Sequence, residues 1–212
     1  RVDVSEKIGT GHFFRCLTLS LKLISKGHLV TFVSRQMPVD LIKTLDNLKI
    51  NFLSIYTNSL SKNGYLAHSH WLGIDQLEDA NNFKNAIGNE IDLIIIDHYG
   101  IDYVWELELK NHTKEILVID DLADRNHFCD YILDQNYYPN FLTRYDKKVP
   151  ESSVKLLGPD YCLLRDDFLK RRKINLNVNG NIDRVFIFFG GIDYENYTKI
   201  ALDAVKKLNV KH

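Results

Sequence analysis

The sequence predicts an α/β fold built on a parallel sheet. Three observations carry that expectation. The chain opens with a short extended piece, Arg1–Val4, a glycine turn, and then a helix-period run in which Phe13, Leu17, Leu21 and Ile24 recur at three- and four-residue steps. Ile91–Asp97 (IDLIIID) is a near-continuous apolar run ending in an acid, as expected of a central strand covered on both faces. Between and beyond these, strand and helix patterns alternate, which is the signature of parallel strands joined by crossover helices.

The elements follow in order. The first helix is expected over about His12–Lys26, capped by Gly27. His28–Arg35 has the apolar, β-branched content of a buried strand. Val39–Leu48 has helical spacing behind Pro38, and Ile50–Ile55 is a short strand. Tyr56–His70 is polar and aperiodic, a surface loop long enough to carry function. Trp71-Leu72-Gly73 leads into a helix from Asp75 to about Ile87. After the Ile91–Asp97 strand come a helix over Ile101–Lys110, a buried strand over Ile116–Asp120, and a shorter one over Tyr131–Leu133. Tyr137–Pro150 is an irregular tyrosine-rich loop, and Leu156–Phe168 reads as a turn into a helix. The polar, Gly/Asn-rich stretch Asn175–Asp183 has linker composition. Arg184–Phe189 then reads as a fresh buried strand, followed by Gly190-Gly191 and a helix over Glu195–Leu208. This repeats the opening pattern, so two units are expected: residues 1–175, and the start of a second nucleotide-binding-like domain at 184–212.

Composition bounds the function. The 212 residues are 45% apolar and 26% charged, an ordinary globular balance. Lys plus Arg is 27 and Asp plus Glu is 28, a net charge of −1, so no basic excess points to nucleic acid. Cys16, Cys129 and Cys162 are scattered and match neither a disulfide framework nor a CxxC metal site. No apolar run approaches the roughly 20 residues of a spanning helix, and no signal peptide is apparent, so a cytoplasmic protein without a membrane partner is expected. Both ends look cut: only four residues precede the glycine loop, there is no initiator Met, and the second unit stops after one strand and helix.

In parallel sheets ligands sit outside the carboxyl ends of the strands. The glycine loop, His98-Tyr99, Asp120-Asp121 and Gln135-Asn136 all fall at such ends. Gly9 and Gly11 allow φ above zero and close approach to the backbone, and the helix that follows offers free N–H groups to an anion. His12 stands at that mouth and is the best-placed base, able to take a proton from water; the alternative is a structural turn with a helix-capping histidine. Arg15 either contacts an anion or pairs with Asp3. Asp97 orients His12 or His98, or caps the next helix. Tyr99 hydrogen-bonds a substrate or is a half-buried aromatic. Asp120, Asp121 and Asp124 form either a metal cluster or a capped turn, and His68 and His70 are loop histidines without a third ligand at recognisable spacing. Cys16 reads as a buried structural thiol. No G-x-S-x-G elbow is present.

Several stretches together resemble a known family: RVDVSEKIGTGHFFRCLTLS, HWLGIDQLEDA, LIIIDHYGID, ILVIDDLADRNHFCDYILDQN, LLGPDYCLLRDDF and FIFFGGIDYENYT. In this order they are similar to the UDP-2,4-diacetamido-2,4,6-trideoxy-β-L-altropyranose hydrolases of pseudaminic acid biosynthesis. The GTGH piece alone is shared with glycosyltransferases that make peptidoglycan lipid precursors. The resemblance implies a Rossmann-like N-terminal domain of a glycosyltransferase-B-like fold, with a UDP-sugar held between two domains. It implies water attack at the anomeric carbon with inversion, C–O cleavage, release of UDP, and neither cofactor nor metal. The family's base falls on His12 and its active-site tyrosine on Tyr99. Gly9, Gly11, Arg15, Arg165, Gly190 and Gly191 complete the expected substrate-binding set. Most of the family's UDP-binding residues lie in the second domain, so the 212-residue chain by itself is expected to be inactive. Two other readings remain: a UDP-sugar glycosyltransferase using the same loop, and a non-catalytic nucleotide-sugar-binding module of a larger protein.

Overall fold

The computed structural model describes residues 1–55, 64–88, 90–171, 184–190, 193 and 195–207. Helix α1 (Gly11–Ser25) follows the glycine turn, with Gly27 left-handed just past its end. Strand β1 (Thr31–Ser34) pairs in parallel with β2 (Asn51–Ser54), and α2 (Val39–Asn47) connects them. A short α3 (Ser69–Leu72) and α4 (Gln76–Ile87) lead to β3 (Ile91–Ile96). Next come α5 (Tyr103–Leu109), β4 (Thr113–Ile119), β5 (Tyr131–Asp134) and β6 (Val154–Leu157), with all neighbours parallel in the order β3-β4-β5-β6. Helices α6 (Asp166–Arg171) and α7 (Tyr197–Lys207) close the chain's described part.

Residues 1–4 join the two sheets. Val2 and Val4 donate N–H bonds to Val33 and Gln36 on the β1 side, at 3.2 and 2.7 Å. On the other side Asp97 donates to the Arg1 carbonyl at 3.0 Å, and Val2 bridges Asp97 in parallel. The strand order is therefore β2-β1-(1–4)-β3-β4-β5-β6. The chain works outward from residues 1–4 to β2, then crosses back to β3 and works outward the other way. The reversal point, where a crevice opens at the carboxyl ends, lies between residues 1–4 and β3.

Alternate strand residues feed two cores. Phe32, Ile119 and Leu133 pack with Phe13, Cys16 and Leu17 of α1 and Leu45 of α2. Val33, Ile94, Ile96, Val118 and Ile132 pack with Ala80 and Phe83 of α4 and Trp105 and Leu109 of α5. Helices thus cover both faces, which is why β3 is apolar at nearly every position. Asp75 caps α4 by accepting from Leu77 and Glu78, and Asp102 caps α5 by accepting from Val104. The α5 cap sets that helix's start two residues later than its apolar period indicates.

Several expectations are corrected. Arg184–Phe189 is not a strand: it has no ladder partner among the described residues, and Phe186 and Phe188 are 88% and 68% exposed. A strand exists by its hydrogen bonds to a neighbour, and β-forming side chains alone do not supply one. Strand β1 begins at Thr31 rather than His28, with Leu29 fully in solvent, and β6 was not anticipated. Part of the expected 56–70 loop is the turn of helix α3. The linker 175–183, residues 56–63 and Gly191 lie outside the described residues.

Candidate active site

The carboxyl end of residues 1–4 turns at Ser5–Gly9. Gly9 has φ +78°, and its N–H donates to the Ser5 carbonyl at 2.8 Å. Gly11, in contrast, takes a helical conformation as the first residue of α1; a Cβ there would meet nothing within 4 Å. Its value is open space in front of the helix rather than a left-handed turn. Thr10 makes no side-chain cap and the first turn carries no acid, so the first N–H groups of α1 keep their capacity for an anionic partner.

One turn into α1 the backbone directs His12 and Arg15 to the same point, the end of β3. There Asp97 is buried and meets both. His12 Nδ1 lies 2.5 Å from Asp97 Oδ1, Arg15 Nε donates to Oδ2 at 2.5 Å, and Arg15 Nη2 donates to Oδ1 at 2.6 Å. Cys16 Sγ approaches Oδ2 at 3.5 Å. Burial opposes the Asp97 charge, but hydrogen bonding and attraction from Arg15, then His12, hold its carboxyl down at about 2. An ionised carboxylate only accepts, so the 2.5 Å contact puts the ring proton on Nδ1 of His12, with Arg15 Nη2 a longer 3.1 Å from the same atom. In the neutral ring the lone pair is then on Nε2, and among the described residues no protein group meets that atom. This is the base–orienter arrangement that fixes a histidine's tautomer for proton abstraction.

Further contacts tie α1 to the ends of β3, β4 and β5. Arg15 Nη1 donates to Asp121 Oδ2 at 3.0 Å. The Tyr99 hydroxyl donates to Asp121 Oδ1, and Asn136 Nδ2 reaches Asp121 Oδ2 at 3.3 Å. Burial raises the Tyr99 phenol well above its ordinary value and Asp121 adds to the rise, so the phenol stays protonated. Arg15 is likewise held cationic: burial works against its charge, and Asp97 and Asp121 overcome that. The ring of His12 lies edge-to-face with Tyr99, centroids 4.7 Å apart, and with Trp71 at 6.1 Å.

The open alternatives resolve as follows. Asp97 serves His12, while His98 turns inward, its Nε2 3.3 Å from Asp3 Oδ2 and its Nδ1 accepting from Gly100 N–H. Arg15 does not pair with Asp3, which Arg1, Ser34 and the Arg35 N–H occupy. Asp120 accepts from Tyr145 and pairs with Arg125 at 2.8 Å, Asp124 also pairs with Arg125, and Asp121 faces Arg15 and Tyr99. The three aspartates therefore diverge, and the DDLADR stretch is a capped turn. Burial raises the Cys16 thiol far above its ordinary value, consistent with an inert structural sulfur.

Arg165 makes no hydrogen bond with His12 among those of the described residues. It lines a separate cavity of about 350 Å³ with Phe14, Arg15, Thr18 and Phe168, its guanidinium 5.3 Å from the Phe168 ring. Gly190 takes φ +85° in the 184–190 segment, and among the described residues no backbone hydrogen bond links it to His12. Two site features were not anticipated. Trp71, expected only to precede a helix, stacks on Tyr99 at 5.4 Å. Asp121, weighed as a metal ligand, is the hub between Arg15 and Tyr99. The aromatic WLG piece between two patterned segments was the signal for the first; spacing gave none for the second.

The chain matches no protein-family model. It is 35% identical over 114 residues to the UDP-2,4-diacetamido-2,4,6-trideoxy-β-L-altropyranose hydrolase of Campylobacter jejuni, covering 53% of this chain and 40% of that protein. It is 22% identical over 206 residues to an uncharacterised protein of Methanocaldococcus jannaschii, covering 95% of this chain and 38% of that protein. The chain spans about two fifths of the length of these curated relatives.

Proposed function

We propose that the chain is the base-bearing part of a nucleotide-sugar hydrolase that releases UDP from UDP-2,4-diacetamido-2,4,6-trideoxy-β-L-altropyranose. The observation that carries the reading is the buried Asp97–His12 pair at the sheet's reversal point, which leaves Nε2 of His12 without a hydrogen-bond partner among the described residues. The likeness to the Campylobacter hydrolase supplies the substrate class. In the proposed step a water hydrogen-bonded to Nε2 attacks the anomeric carbon. The new bond is from water oxygen to carbon, the bond from carbon to the diphosphate oxygen breaks, UDP leaves with the electron pair, and Nε2 takes the proton. UDP is a good leaving group, so the demands are a positioned water, a base and accommodation of diphosphate charge.

Arg15 is a positioning residue in this account, since Asp97 and Asp121 occupy its donors. The uncapped first turn of α1 and the space in front of Gly9 and Gly11 face the leaving diphosphate. A second domain beginning near residue 184, carrying Gly190 and Gly191 for nucleotide binding, completes a glycosyltransferase-B-like cleft. Three free cysteines, two of them buried, fit a reducing, cytoplasmic compartment. No helix among the described residues is long and apolar enough to cross a membrane. The test is UDP release by the full-length protein from the UDP-sugar, with no acceptor added. Turnover that His12→Asn lowers by about 10² or more supports the reading; dependence on a sugar acceptor would move it to the glycosyltransferases.

A further inference from the structure

A cavity of about 380 Å³ is lined by Ser5, Glu6, Lys7, Gln36, His70 and Trp71, the last with its ring centroid 6.1 Å from that of His12. It opens at the carboxyl edge, between the turn after residues 1–4 and the end of β1. Its lining is unusual for an apolar ligand: one large aromatic wall and five polar side chains that supply both donors and acceptors. Glu6 and Lys7 offset each other, so the cavity has no excess of positive charge to favour a diphosphate.

The aromatic wall is built to hold its place. One part of the Trp71 indole stacks on Tyr99 with the planes 28° apart, and its edges meet His12 and His68 at 6.1 and 4.8 Å. The helix that carries it is anchored by fully buried Leu72 and ends at left-handed Gly73. It sits down on the DHYG turn because Gly100 has no side chain: a Cβ there would come within 2.9 Å of the His68 carbonyl.

We propose that Trp71 is the platform of a sugar subsite, with the C–H face of a pyranose lying on the indole and its hydroxyl and amide substituents reaching Gln36 and His70. This rests on the hydrolase reading. If water on Nε2 of His12 attacks the anomeric carbon, the ring within one residue's reach of His12 is the sugar, and the uracil lies a diphosphate and a ribose away.

The experiment compares Trp71→Ala and Trp71→Phe in the full-length protein. Four quantities are read: KM and kcat for UDP release, the inhibition constant of UDP, and quenching of indole fluorescence by free 2,4-diacetamido-2,4,6-trideoxyaltrose. Trp105, the other indole, is fully buried against Phe83 and stays as a silent background. The expected result is a KM raised about 10-fold in Trp71→Ala, with the UDP constant within about twofold. Trp71→Phe, which keeps a ring on Tyr99, falls between. Quenching by the free sugar is expected in the wild type and lost in both variants. If the UDP constant rises as much as KM, the ring holds the nucleotide and the proposal is overturned; if KM and quenching are both unmoved, Trp71 is packing only and it is overturned again. Sugar quenching by a wild-type protein that releases no UDP upholds the subsite and rejects the hydrolase.

Discussion

Replacing Asp97 with Asn perturbs one atom and two functions. The carboxylate now accepts from His12 Nδ1, Arg15 Nε and Arg15 Nη2 within 2.5–2.6 Å. An amide keeps one acceptor and turns the other position into an NH₂ donor. If that NH₂ faces His12, it donates to Nδ1, the ring proton moves to Nε2, and the base is lost. In the other orientation it meets Arg15 Nε and leaves His12 its acceptor; because Arg15 donates to both oxygens, either orientation sets a donor against the guanidinium in a buried site. The first outcome predicts a fall in kcat of about 10²–10⁴, bounded below by a general base's contribution and above by wrong-tautomer effects in buried Asp–His pairs. The clash with the guanidinium predicts a loss of about 3 kcal/mol, the low end for breaking a buried ion pair, because Asp121 remains 3.0 Å from Arg15 Nη1. The assays are steady-state UDP release and urea unfolding. His12→Asn combined with Asp97→Asn should be no worse than either alone, since both remove the same base. A folded Asp97→Asn protein with kcat within about twofold of wild type refutes the tautomer argument.

Three further outcomes follow from the geometry. Because the Asp97 carboxyl sits at about 2 in the folded chain against an ordinary 3.8, it contributes about 2 kcal/mol above pH 4 that is lost as pH falls toward 2. Urea midpoints at pH 5 and pH 3 should therefore drop less for Asp97→Asn than for wild type; an equal drop contradicts the assignment. Gly100→Ala should destabilise by about 1–3 kcal/mol and shift Trp71 fluorescence, because the added Cβ meets the His68 carbonyl at 2.9 Å and the buried His98 ring at 3.0 Å; unchanged stability and spectrum count against that packing. Tyr99→Phe removes only the bond to Asp121, so a loss of about 1 kcal/mol and a kcat reduction of less than 10-fold are expected. A Tyr99→Phe loss matching that of His12→Asn places Tyr99 in the proton transfer instead.

The central elements were legible because each carried its own signal. Helix α1 has a 3.6-residue apolar period between a glycine turn and Gly27, and β3 is apolar on both faces because both are covered. Strand β6 was invisible since it is an edge strand: Val154 is half exposed and Lys155 breaks the run. The Arg184–Phe189 segment misled for the converse reason. Its side chains favour a strand, but a strand needs a neighbour, and that is not written locally. At the site, His12, Arg15 and Tyr99 were found as residue types at strand ends. Asp97 was legible as the partner of either His12 or His98, and the choice was not, because the two histidines compete for one aspartate 85 positions from His12. The choice between them is made by the turn, where Gly100 N–H bonds His98 Nδ1 and points that ring toward Asp3.

The claim that His12 delivers water to the anomeric carbon is tested most directly by hydrolysis of the UDP-sugar in ¹⁸O-water, run with wild type and His12→Asn. The account predicts label on the released sugar, none on UDP, and a rate about 10² or more lower in the variant. Label on the UDP phosphate, or near-parental turnover by His12→Asn, contradicts it.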